Sequence, residues 1–151
     1  MALADLIARL RVQLQDVVPA SYDFDDSAYT EFFNVGMDEL NIRLNTAYTV
    51  DDFPVQWTAA VLCAAKIATV RALVHDTAKM ISNSVQGQAV NVNELNRNFT
   101  AELALAQQQL ETYLLAIEKW QQGTQSPYSA ALLYQRSWAR RNPRISRVEN
   151  Y

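Results

Sequence analysis

From Val55 to about Lys79 the chain reads as a helix with almost no polar side, and this segment constrains everything around it. Projected at 100° per residue, its apolar positions cover nearly the whole circumference and leave a thin strip of Thr58, Lys66, Thr69 and Asp76. A helix of that kind must be covered on most sides by other elements. Ala60, Ala64, Ala68 and Ala72 fall four apart and form a ridge of small residues that lets another backbone come close. Asp51-Asp52-Phe53-Pro54 marks its start, with acids ahead of the first turn and a proline where a missing N–H does no harm. The segment predicts a central helix inside a helical bundle.

The neighbours it needs are present. Leu3, Ile7, Leu10, Leu14 and Val17 recur at spacings of four and three, one face of a first helix that Pro19 ends. Asp25, Asp26 or Ser27 can cap a second helix carrying Tyr29, Phe33, Met37, Leu40 and Leu44, with Phe32 broadening the stripe. Gly36 in its middle costs about 1 kcal/mol against alanine, which points to a close helix approach there. Residues 81–92 break the helical period, and Gly87 between two glutamines suggests a short β-hairpin or an extended loop. Asn93 then caps a fourth helix that ends before Gly123, with Phe99, Leu103, Ala106, Leu110, Tyr113, Ile117 and Trp120 as its core positions in heptad spacing. The expected fold is all-α: a four-helix domain over residues 1–123, with a C-terminal arm from 124 to 151.

Composition excludes several classes. One cysteine, Cys63, rules out an intrachain disulfide, and its neighbours Leu62, Ala64 and Ala65 place it in the core. Cys63 and the single histidine, His75, supply no zinc site, and about 18 Å of helix separates them, too far for a thiolate dyad. No phosphate-cradling glycine motif occurs, and the acidic pairs Asp51-Asp52 and Asp38-Glu39 are explained by capping and a solvated face. No catalytic residue, cofactor site or metal site is expected. Lys66 and Arg71 interrupt the longest apolar run and Asp5 falls inside the only candidate leader, so the expectation is a soluble protein made in the cytoplasm.

The last residues have a different character. Arg136, Arg140, Arg141, Arg144 and Arg147 face only Glu149, so residues 136–151 sum to +4, whereas residues 1–135 hold eight basic against fifteen acidic residues, or −7. Trp138 and Tyr151 accompany the arginines, but no apolar period does, so this arm has no core of its own. Arginine and aromatic residues contribute most at interfaces. An acidic body with a basic, aromatic arm predicts docking onto a partner, ahead of a frayed terminus or of contact with nucleic acid.

With its elements placed, the chain resembles the head–tail connector (adaptor) proteins of tailed bacteriophages. One stretch is Leu6-Ile7-Ala8-Arg9-Leu10-Arg11 through Leu14-Gln15-Asp16, then Tyr22-Asp23-Phe24-Asp25-Asp26 and the helix with Phe33-Asn34 and Met37. A second is the Asp52-Phe53-Pro54 start of the alanine-rich helix that ends near Arg71-Ala72, and a third is the insert at 82–92 leading into one long helix. The resemblance spans roughly residues 3–122. It implies a structural virion protein of the neck, a homo-oligomeric ring (a dodecamer) beneath the portal protein that offers a platform to the next tail component. DNA would pass through its channel without specific binding, and no membrane is involved. Some members bind the portal through an extended C-terminal segment, which residues 124–151 match in position and character; the role of the five arginines comes from their chemistry.

A ring needs two different faces of each subunit to meet, and the continuous apolar cover of the second to fourth helices can supply them. An acidic body suits a channel that must pass DNA without gripping it. The competing readings are a non-viral helical scaffold or regulatory module that binds an acidic partner through its arm, and a nucleic-acid binder whose arm enters a groove. An enzyme is the least favoured, because nothing in the sequence converges into a site.

Overall fold

The computed structural model describes residues 2–83 and 89–123. They form four α-helices, α1 (Leu3–Leu14), α2 (Asp26–Leu44), α3 (Thr58–Asn83) and α4 (Ala89–Gly123), with single 3-10 turns at Ala20–Tyr22 and Val55–Trp57. Among the described residues no strand is present, only an isolated bridge between Thr49 and Asp52. The all-α four-helix expectation holds. The chain divides into two compact units, Met1–Leu115 and Ala116–Tyr151, and the described part of the second is the end of α4. The arm expected from 124 onward lies outside the described residues.

Helix α3 is the core of the first unit, buried almost without interruption from Ala60 to Val70. By length and composition Val55–Ser82 is apolar enough to cross a membrane, in spite of Lys66 and Arg71, which corrects the expectation that no run here reaches that length. Its neighbours explain the apolarity: 67% of that window is buried inside the protein. Around it stand Leu6, Ile7, Leu10 and Leu14 of α1, Tyr29, Phe33, Met37 and Leu40 of α2, and Phe99, Ala106 and Leu110 of α4.

The tightest contact joins α2 to α3. A β-carbon on Gly36 would lie 2.8 Å from the Ala65 nitrogen, 2.9 Å from the Ala64 carbonyl carbon and 3.1 Å from the Ala64 methyl. Glycine is required there because backbone meets backbone, and the alanine ridge is the other half of the fit. Ala60, Ala64 and Ala68 are buried and Ala72 is half-buried. Asp25 caps α2 by accepting from the Ala28 N–H at 2.8 Å, and Asn45, left-handed at φ 51°, ends it. Pro54 precedes the 3-10 turn rather than occupying the first turn of α3, and its carbonyl accepts from Trp57 N–H.

Three expectations are corrected here. The proposed polar strip of α3 is not a solvent face: Thr69 is fully buried, its hydroxyl donating to the Ala65 carbonyl at 2.9 Å, and Lys66 is mostly buried and paired with Glu102 of α4. A threonine can be buried in a helix because its hydroxyl finds the carbonyl one turn back. Thr58 is half-buried and Asp76 exposed. Second, α3 continues to Asn83 and α4 begins at Ala89, four residues before Asn93. Any hairpin or loop is confined to residues 84–88, outside the described residues.

Third, α4 buries Leu114, at 5% exposure, where the heptad places Tyr113, which is 38% exposed; Trp120 is 45% exposed. A straight helix drifts by about 20° per heptad. The buried positions Phe99, Ala106, Leu110, Leu114 and Ile117 follow the 3.6-residue period instead, with Leu103 half-buried beside them. Leu114→Ala should therefore cost about 2–4 kcal/mol in a denaturant titration, against about 1 kcal/mol or less for Tyr113→Ala. Equal losses would restore the heptad assignment.

Candidate assembly surface

The residues that could do chemistry are scattered. Among the described residues no group of three His, Cys, Asp or Glu is placed to hold a metal ion. His75 is exposed, whereas Cys63 is buried with its thiol donating to the Ala106 carbonyl at 3.2 Å, and burial pushes that thiol up to about 11. Such a thiol is protonated at neutral pH and packs as a small core residue.

Polar contacts mostly lock the helices together. Arg11 of α1 donates to the Phe24 carbonyl at 3.0 Å, pairs with Asp26 at 2.8 Å and lies 4.9 Å from the centre of the Tyr29 ring. Tyr29 donates to Asp23 at 2.7 Å. Burial, reinforced by the Asp23 carboxylate, holds the Tyr29 hydroxyl up at about 12. This cluster pins the α1–α2 connection onto both helices. Arg43 pairs with Glu111 and Arg71 with Glu39, so α2 is tied to α4 and to α3. Asn96 of α4 donates to the Val74 carbonyl at 3.0 Å and to the Thr77 hydroxyl at 2.8 Å. These contacts, most of them at the surface, tie the helices to one another.

What the fold leaves open is apolar surface. Val35 and Ile42 of α2 are 48% and 82% exposed, and α4 exposes Leu105 at 49% and Leu115 at 56%. Val12 of α1 and Val55 ahead of α3 are also exposed, at 69% and 77%. Beside Val55 a groove of about 530 Å³ runs between α1 and α4. Thr58, Ala59, Leu62, Cys63 and Lys66 of α3 line it together with Arg9 and Gln13 of α1 and Gln109 and Tyr113 of α4.

The structure brings Ala60, Ala64 and Ala68 into the core together with Leu110, and buries Ile117. The arm residues Arg136, Trp138, Arg140, Arg141, Arg144, Arg147 and Tyr151 lie outside the described residues. Sequence reading missed the groove and the Arg11 cluster, which depend on how distant segments meet. The α2 stripe was findable, since Val35 and Ile42 are seven apart and off the core face. No family model, curated protein or solved structure matches the chain.

Proposed function

We propose that this chain is a structural assembly subunit of the tailed-phage head–tail adaptor kind, which forms a homo-oligomeric ring between a portal protein and the next tail component. The observation that supports the reading most is the exposed apolar surface on separate helices. Ile42, Val55 and Val12 are each more than two-thirds exposed, although the chain has ample core elsewhere. Single exposed apolar residues are ordinary, but two on one helix face, as Val35 and Ile42 stand on α2, suit an association surface. The resemblance over residues 3–122 and the basic arm point the same way. In this reading the arm engages the portal, and the acidic body lets DNA pass through the channel without being held. The protein is not an enzyme, takes no cofactor and resides in the virion neck.

Negative-stain images of the purified chain should show annular particles that stack end-on against a portal ring. Isolated single subunits that ignore the portal would contradict the proposal.

A further inference from the structure

The ring reading leaves open which two faces meet, and we infer that the outer stripe of α2 on one copy seats in the α1–α4 groove of the next. The inference rests on that reading and deepens it. Glu31, Val35, Asp38 and Ile42 follow one another at steps of four, three and four, and all four are exposed. They form one ridge on the side of α2 turned away from Gly36 and α3. Val35 and Ile42 stand about 10 Å apart along the helix axis, a spacing at which two apolar knobs can enter one groove.

The groove suits that ridge in chemistry. Its apolar lining includes Val55, Ala59 and Tyr113, and its charged side chains are basic, Arg9 and Lys66, of which Lys66 is already paired with Glu102. Arg9 has no ion pair among the described residues, and neither has Glu31 or Asp38. An apolar ridge edged with acids therefore meets a groove of mixed lining. Val55, Ala59 and Tyr113 stand in it among the amides of Gln13, Gln56 and Gln109, with one base, Arg9, without an ion pair among the described residues. The chain's own arm is a poorer occupant, because its five arginines would be brought against Arg9, and no acid among the described residues lines the groove. No α2 residue lines the groove, so each copy offers one ridge and one groove on different surfaces. Contacts of that heterologous kind propagate from copy to copy and close into a ring when the rotation allows.

The test is sedimentation of the full-length chain and of full-length variants over a range of concentrations, with circular dichroism to show that each variant folds. Ile42→Lys should raise the concentration needed for assembly by about tenfold or more, as expected for an interface anchor. Asp38→Lys and Arg9→Glu should each weaken assembly, and the two together should recover part of the loss. Assembly that Ile42→Lys and both charge reversals leave unchanged would overturn the inference while leaving the ring intact. A wild-type chain that stays single at every concentration would overturn the ring reading and this inference together. Loss of assembly on replacing only the five arginines by glutamine, with Ile42→Lys silent, would assign the groove to the arm and overturn the inference.

Discussion

Gly36→Ala should lower the melting temperature, although alanine is the better helix former by about 1 kcal/mol. The added methyl would sit 2.8 Å from one backbone atom of α3 and 2.9 Å from another. Side chains can swing away from such a clash, but a helix backbone can yield only by moving the whole helix. Overpacking of this kind costs about 1–3 kcal/mol, and Gly36→Leu should exceed it, because its longer side chain cannot be housed without parting α2 from α3. For a chain of this size each kcal/mol is about 4 °C in Tm. Gly123→Ala is the control, with nothing within 4 Å of the new carbon. If Gly36→Ala and Gly123→Ala melt alike, the close α2–α3 contact is wrong.

Deleting everything after Thr124 should abolish attachment to the portal and leave the helicity and melting temperature of the remainder nearly unchanged. The deleted part carries all five arginines of the arm, Trp138 and Tyr151, and its one apolar patch, at 130–134, is short. On an acidic partner surface the arginines would make charge-assisted, partly bidentate hydrogen bonds, and the two aromatic residues would anchor them. Replacing only the five arginines by glutamine should weaken attachment less than deletion does. What remains should be less sensitive to salt, because the screened part of the interaction has been removed. A truncated chain that still joins its partner normally would reduce the arm to an ordinary terminus.

The helix content was legible because apolar spacing and caps are local signals. The cap at Asp25 and the small residues at Gly36 and along the alanine ridge are read from positions a few residues apart. By contrast, α1 ends at Leu14, five residues before the expected break at Pro19, and leaves Val17 outside the helix. Helix boundaries near 81–92 were misread because glutamine, glycine and valine there look irregular, yet helix reaches Asn83 and resumes at Ala89. Tyr113 and Leu114 could not be separated by pattern, since both are apolar and adjacent; the drift of a straight helix decides between them. Thr69 was placed on the polar strip by its polarity, although it is buried and its hydroxyl is satisfied within its own helix. The groove was invisible in the sequence for a different reason. It exists because α1 and α4 leave part of the start of α3 uncovered, and such a gap is set by packing between helices, not by any one segment.

The mass of the purified full-length chain, alone and after mixing with a portal ring, tests the central claim most directly. The account predicts a closed oligomer of the free chain at a whole multiple of 17.1 kDa, which then joins the portal, with the dodecamer as the size implied by the resemblance. A mass of one subunit for the free chain at every concentration, or no species that contains the portal after mixing, would contradict it.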